Sequence, residues 1–113
     1  MLEDSRLRVF LKVAERGSFT RAAEDLGITQ PAVSQNIAEL EKQTGAVLFE
    51  RSRSRVALTE EGKVFRIFAE RILRDYDELN AVFTHYEDYR KLLAQVSELR
   101  NNPLFEFAKP LLD

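Results

Sequence analysis

The residues best suited to chemistry lie between Thr29 and Leu40. Apolar side chains recur there at the spacing of one helix face, namely Val33, Ile37 and Leu40. The opposite face keeps short polar side chains: Gln30, Ser34, Gln35 and Glu39, with Asn36 at its edge. Amide side chains pair with an adenine edge, serine serves either kind of base pair, and Pro31 with Ala32 offers apolar surface to a thymine methyl group. The pattern predicts a helix that reads base edges of DNA.

A second set of residues is suited to holding phosphate. Ser18 and Thr29 each stand at a predicted helix start, where first-turn amide groups are available to an anion. Arg51, Arg53 and Arg55 alternate within a five-residue polar stretch. We expect all five residues to contact the DNA backbone, with the arginines reaching adjacent phosphates or the minor groove.

Local signals define the elements that must position these side chains. Apolar residues at helical spacing predict a first helix over 4–16, with Leu7, Phe10, Leu11 and Ala14 on one face. A short second helix begins after Ser18 and a third begins after Thr29, with Pro31 in its first turn. Glycines 17, 27 and 45 each follow one of these helices, where a left-handed residue ends a helix.

The next segment predicts a small β-hairpin, which we call the wing. Apolar residues 47–49 and 56–58 flank the arginine-bearing tip. The second and third helices are joined by a three-residue turn that contains Gly27, which is the spacing of a helix-turn-helix. With the wing added, residues 1–58 are predicted to form a winged helix-turn-helix head of three helices and a two-stranded wing. The fold class is mainly α.

A long dimerisation helix is predicted over 59–100, with Thr59 as its N-cap and a short tail at 101–113. Phe65, Ile72, Leu79, Tyr86 and Leu93 recur every seven residues, and Phe68, Val82, Tyr89 and Val96 occupy complementary positions. Such a heptad stripe is typical of helices that pair with each other. We expect these residues to form a homodimer interface: Phe65, Phe68, Ile72, Leu79, Phe83 and Tyr86.

Composition limits the class of protein. The chain has no cysteine and a net charge of −2, with nine basic and eight acidic residues in 1–58. This balance suits a sequence reader with a few placed contacts better than a non-specific DNA binder. We expect no catalytic residues, no metal, no cofactor, no small-molecule site and no membrane segment, and a cytoplasmic location. His85, the single histidine, is expected on a solvent-facing turn.

The segments that carry these signals occur in the same order as similar segments in one protein family. They run from Gly17 to Ala23, from Thr29 to Ile37, over Leu40-Glu41, from Gly45 to Arg51 and from Leu58 to Gly62. The string resembles the N-terminal domain of LysR-type bacterial transcription regulators over residues 1 to about 90. The resemblance implies an antiparallel pairing of linker helices. It also implies base contacts from Gln30, Ser34 and Gln35 with Pro31 near the DNA, and phosphate contacts from Ser18, Thr29, Arg51 and Arg53.

Two features depart from that family. The position of Gln35 is often arginine, so a guanine-directed contact is not expected here. Family members also continue into an effector-sensing domain, whereas about thirteen residues follow Arg100. We therefore expect a homodimeric DNA-binding transcription regulator without a ligand-sensing domain. The alternative is an interaction module whose linker helix pairs with a full-length regulator or a sensor subunit.

Overall fold

The computed structural model describes residues 4–53 and 55–100, except for the side chains at 89, 99 and 100. The predicted tail at 101–113 and the heptad side chain of Tyr89 lie outside the described part.

Seven elements follow one another along the described chain. The helices are α1 (Asp4–Arg16), α2 (Phe19–Leu26), α3 (Gln30–Thr44), α4 (Glu60–Thr84) and α5 (Tyr86–Arg100), and the strands are β1 (Phe49–Arg51) and β2 (Val56–Leu58). The predicted fold class is confirmed: a three-helix head and a two-stranded wing are followed by the long helix α4.

The helix boundaries in the head arise from local chemistry. The Ser18 hydroxyl accepts a hydrogen bond from the Arg21 N–H at 3.2 Å, and the Thr29 hydroxyl accepts one from the Ala32 N–H at 3.2 Å. Both are N-cap bonds, which satisfy an amide that has no partner inside the helix. Gly27 then turns the chain with a φ of 68°, a left-handed conformation that favours glycine. These bonds place α2 and α3 in the order and spacing predicted.

The wing is an antiparallel pair anchored to the head at both ends. Its register pairs Phe49 with Leu58 and Arg51 with Val56. The Val56 N–H donates to the Gly17 carbonyl at 3.3 Å, and the Thr59 N–H donates to the Leu48 carbonyl at 3.0 Å. Because both bonds connect the wing to neighbouring backbone, the hairpin is fixed to the α1–α2 corner and to the start of α4.

The core fills the space enclosed by α1, α2, α3, the wing and the first turns of α4. Phe10 is fully buried and contacts Phe49 and Phe65, with ring centroids 5.1 Å and 4.7 Å away. The remaining buried side chains are aliphatic: Leu7, Val9, Val13, Ala22, Ala23, Val33, Ile37, Leu40, Leu48, Ala69 and Leu73. Burial of this apolar surface supplies the main driving force for the fold.

α4 approaches the head through small residues. A Cβ atom at Gly62 would overlap the Leu48 carbonyl oxygen, so glycine permits the close contact between helix and backbone. Ala69 and Leu73 are buried on the same side of α4. Phe65 is half-buried against Phe10, so this ring, which the heptad pattern assigned to a dimer interface, packs within its own head.

The predicted single helix over 59–100 is two helices. α4 ends at Thr84 and α5 begins at Tyr86, with His85 exposed in the turn between them. The Thr84 hydroxyl donates to the Asn80 carbonyl at 2.7 Å. A hydroxyl that bonds back to the preceding turn competes with the helical backbone, and this bond lies beside the interruption that the heptad pattern did not predict.

Contacts divide the chain into two compact units, of which one ends at Asp75 and the other begins at Tyr76. All the buried core residues belong to the first unit. Within the described ranges, no helix combines the length and the apolar character needed to cross a membrane.

Candidate nucleic-acid interface

α3 presents a polar face to solvent and an apolar face to the core. Val33, Ile37 and Leu40 are completely buried. Gln30, Pro31 and Gln35 are exposed, and Ser34 is half-buried, in the first two turns of the same helix. The four predicted base-reading residues therefore share one accessible surface: Gln30, Pro31, Ser34 and Gln35. A partner reaching that surface meets two amide side chains and a hydroxyl group.

Two further polar residues of α3 are directed to their own helix. The Asn36 side-chain amide donates to the Ala32 carbonyl at 2.8 Å and is part-buried. The Glu39 carboxylate accepts from the Gln43 amide at 3.4 Å. The amide of Asn36 is thus less available to a ligand than the amides of Gln30 and Gln35.

The N-termini of α2 and α3 leave fewer backbone N–H groups free for an anion than an uncapped helix N-terminus does. In α3, Pro31 has no N–H, the Ala32 N–H is bound by Thr29, and the Val33 N–H donates to the Thr29 carbonyl at 3.1 Å. Within the described residues this leaves the Gln30 N–H and the Thr29 hydroxyl proton for an anion. In α2, the Arg21 N–H is similarly bound by Ser18, which leaves the amides of residues 19 and 20.

The wing arginines differ in their surroundings. The Arg51 guanidinium lies over the Phe19 ring, 4.7 Å from its centroid, and 3.8 Å from the Glu41 carboxylate. Arg53 and Arg55 are exposed, and no carboxylate of the described chain forms an ion pair with either. A cation that stacks on a ring and faces a carboxylate is positioned by its own protein, whereas Arg53 and Arg55 are available to an external anion.

Glu41 is a positioning residue that the sequence pattern did not reveal. Its carboxylate accepts a hydrogen bond from the Leu48 N–H at 2.7 Å and also faces Arg51. It connects the second half of α3 to the wing and, through Arg51, to the first residue of α2. The Leu48 contact spans seven residues and the Arg51 contact ten, so no helical or strand period in the sequence signals them.

Several basic residues outside the predicted set surround Ser18. Arg16, Arg21, Lys63 and Arg66 line a concave surface together with Arg55. The heptad pattern in this part of the sequence indicates an apolar stripe and gives no signal for these cations. The i, i+3 spacing of Lys63 and Arg66, which places both on one face of α4, is the available sequence signal.

The predicted interface residues of α4 and of the start of α5 fall in both units. In the first unit Phe68 is 54% exposed and Ile72 is 48% exposed. In the second unit Leu79 is 56% exposed, while the rings of Phe83 and Tyr86 stack with centroids 5.5 Å apart and are both exposed. Except for Phe65, these side chains are left largely uncovered by their own chain.

Comparison with known proteins shows sequence similarity to one family of regulators. Residues 5–63 match the model of the bacterial regulatory helix-turn-helix proteins, lysR family. The chain is 50% identical over 68 residues to the probable RuBisCO transcriptional regulator of Cyanidioschyzon merolae, a match that covers 60% of this chain and 22% of the relative. It is 47% identical over 68 residues to the HTH-type transcriptional regulator CfxR of Cupriavidus necator, with the same two coverages.

A solved structure resembles the fold as well as the sequence. The crystal structure of the BenM_DBD/catB site 1 DNA complex superposes with a TM-score of 0.71 at 37% identity, over 74% of this chain and 93% of that one. This shared region is longer than the three-helix head and the wing together. The match to the two curated relatives, in contrast, spans only about a fifth of their length.

Proposed function

Because the chain belongs to the lysR family of bacterial regulatory helix-turn-helix proteins, we propose that it binds double-stranded DNA by sequence, as a homodimer, and so regulates transcription. Two of its curated relatives are named transcriptional regulators, and the BenM_DBD structure is a complex with DNA. The observation that carries the proposal is the division of α3 into a fully buried aliphatic face and an accessible amide and hydroxyl face.

α3 acts as the helix that enters the major groove. Gln30 and Gln35 are able to form bidentate hydrogen bonds to an adenine edge, since an amide offers one donor and one acceptor side by side. Ser34 contributes a hydrogen bond from a short, half-buried side chain, and Pro31 contacts apolar groups of the bases. Gln35 has no charge, so it does not favour guanine in the way that an arginine would.

The remaining contacts fix the head on the DNA backbone. Ser18 and Thr29 donate through their hydroxyl groups and the neighbouring free amides at the starts of α2 and α3. Arg53 and Arg55 bind phosphates directly or reach the minor groove. Arg51 contributes its charge from a fixed position over Phe19, so its main role is to hold the wing against α2.

A second copy of the chain covers the exposed apolar side chains of α4 and of the start of α5. Phe68, Ile72, Leu79, Phe83 and Tyr86 are largely exposed in the single chain. Water contact with rings and branched aliphatic groups is unfavourable, and a two-fold pairing presents the same self-complementary surface from both copies. Two heads joined in this way would read two half-sites related by two-fold symmetry.

Selection from a random DNA pool tests the proposal directly. Sequences retained by the purified chain should converge on a motif, and the motif should bind more tightly than a scrambled DNA of equal length and composition. Gln35→Ala should lose about 1–3 kcal/mol of discrimination at one base position in each half-site, because one bidentate contact is removed.

The matched control is Gln43→Ala, which removes the same type of side chain from the exposed C-terminal end of α3. This variant should keep the wild-type motif and affinity. Failure of the pool to converge, or equal effects of Gln35→Ala and Gln43→Ala, would refute base reading by the start of α3.

A further inference from the structure

A groove lined by basic side chains lies beside the start of α2. It has a volume of about 750 Å³ and is bounded by the end of α1, the first turn of α2, β2 and the first turns of α4. We call it the basic groove. The basic residues that line it lie in α1, α2 and α4 and directly before β2: Arg16, Arg21, Arg55, Lys63 and Arg66. Glu15 is the one acidic residue that lines the groove.

The charges of the groove are only partly balanced by the protein itself. Arg16 faces Asp25 at 3.3 Å, Lys63 faces Glu60 at 2.9 Å, and Arg66 faces Glu70 at 3.0 Å. None of these three carboxylates lines the groove. The single lining acid, Glu15, is itself paired with Lys12 at 3.2 Å.

Two guanidinium groups add charge without compensation. No acidic side chain in the described ranges forms an ion pair with Arg21 or Arg55. Because exposed ion pairs contribute little stability, the three paired cations are also able to exchange their carboxylates for a stronger anion. The groove therefore concentrates positive charge in a chain whose net charge is −2.

The walls of the groove are held by backbone contacts. The Val56 N–H donates to the Gly17 carbonyl at 3.3 Å, which fixes β2 to the corner between α1 and α2. Gly17 has a φ of 61°, and a Cβ there would stand 3.4 Å from the Val56 carbonyl oxygen. Ser18, with its hydroxyl at the start of α2, forms part of the same lining. The cations are thus arranged around a fixed site that also contains the Ser18 hydroxyl.

We propose that the basic groove binds the sugar-phosphate backbone of DNA outside the base pairs read by α3, with Lys63 and Arg66 as additional phosphate contacts. This inference rests on the proposed function. No residue of α3 lines the groove, so the backbone it holds is not the one directly beside the base-reading side chains. Ser18 and Arg55, already assigned to phosphates, belong to the same surface and make it continuous with the proposed DNA interface.

Phosphate fits the groove better than other anions because of its donor set. Guanidinium groups, an ammonium group and a hydroxyl group all donate to anionic oxygens, and closely spaced phosphates satisfy several of them at once. The contacts carry no sequence information, since each reaches backbone and not base edges. They would raise affinity for every DNA and fix the register of the head.

The test compares Lys63→Gln/Arg66→Gln with wild type on the DNA selected from the random pool, over a range of salt concentrations. Each phosphate contact contributes a slope of about −0.9 to the logarithm of affinity against the logarithm of salt. A homodimer carries two basic grooves, so the double variant loses about four phosphate contacts. Between about 50 and about 200 mM salt, wild type should therefore lose about 150-fold more affinity than the double variant. The preference for selected over scrambled DNA should stay unchanged. Ethylation of flanking phosphates should interfere with wild-type binding and not with binding by the double variant.

Arg74→Gln/Lys91→Gln is the matched control, because it removes the same charge from exposed helical residues outside the groove. Its salt slope should equal that of wild type. An unchanged slope for Lys63→Gln/Arg66→Gln, or an equal reduction in both double variants, overturns the groove assignment while base reading stands. If wild type itself does not distinguish selected from scrambled DNA, the proposed function fails and the groove proposal fails with it.

Discussion

The two units of the chain differ in how far they bury their apolar side chains. In the first unit, which ends at Asp75, thirteen apolar residues are buried and Phe10 alone contacts two other rings. In the second unit, the side chains described at 76–88 and 90–98 include no buried one, and Leu79, Phe83 and Leu92 are each more than half exposed. One unit thus contains its own core, while the other presents apolar surface outwards.

The difference shows that similar apolar patterns serve different purposes. In the first unit the apolar faces of α1, α2 and α3 meet other elements of the same chain, so their burial stabilises the head. In the second unit the apolar side chains find no such cover in the described chain, and the proposed homodimer would bury them. Stability of the head and self-association should therefore respond to different substitutions.

The largest effect is expected from Phe10→Ala. Removal of this fully buried ring should lower the free energy of unfolding by about 3–5 kcal/mol, because it leaves a cavity between Phe49 and Phe65. Urea denaturation at fixed protein concentration measures the loss. Leu92→Ala, in the second unit, should cost less than about 1 kcal/mol at low protein concentration, as is usual for exposed sites. Equal losses would remove the distinction between the two units.

A somewhat smaller effect is expected from Leu79→Asp on self-association. A charge placed in an apolar interface has to lose its hydration, which should weaken the homodimer by about 3 kcal/mol, or roughly 100-fold. Sedimentation equilibrium gives the molar mass across a dilution series. Asn80→Asp adds the same charge at the neighbouring exposed position and should leave the mass unchanged. A dimer that persists in Leu79→Asp would place the interface elsewhere.

The smallest effect is expected from Glu41→Gln, within the first unit. The amide keeps the shape but loses the charge that strengthens the bond to the Leu48 N–H and the contact with Arg51. The free energy of unfolding should fall by about 1 kcal/mol, the difference between charged and neutral hydrogen bonds. Glu39→Gln, whose carboxylate accepts a hydrogen bond from the Gln43 amide at 3.4 Å, should stay within about 0.5 kcal/mol of wild type. A larger loss in Glu39→Gln than in Glu41→Gln would contradict the positioning role of Glu41.

The sequence by itself determined the elements of the head. Ser18 and Thr29 cap helices, Gly27 and Gly45 end them, and the spacing of Val33 and its partners identifies the buried face of α3. Each of these effects acts within about four residues of the chain, so it can be predicted from the sequence without the tertiary structure. The accessible positions of Gln30, Pro31 and Gln35 follow from the same short-range geometry.

Only the tertiary structure decided which apolar and charged groups meet. The heptad pattern made Phe65 and Phe68 equivalent, but Gly62 lets α4 approach Leu48 closely, so Phe65 packs on Phe10 while Phe68 stays exposed. Arg51 turns to Phe19 and Glu41, and basic residues from separate elements gather around Ser18. These contacts join residues far apart in the chain, and their distances depend on how whole elements pack, which no local period encodes.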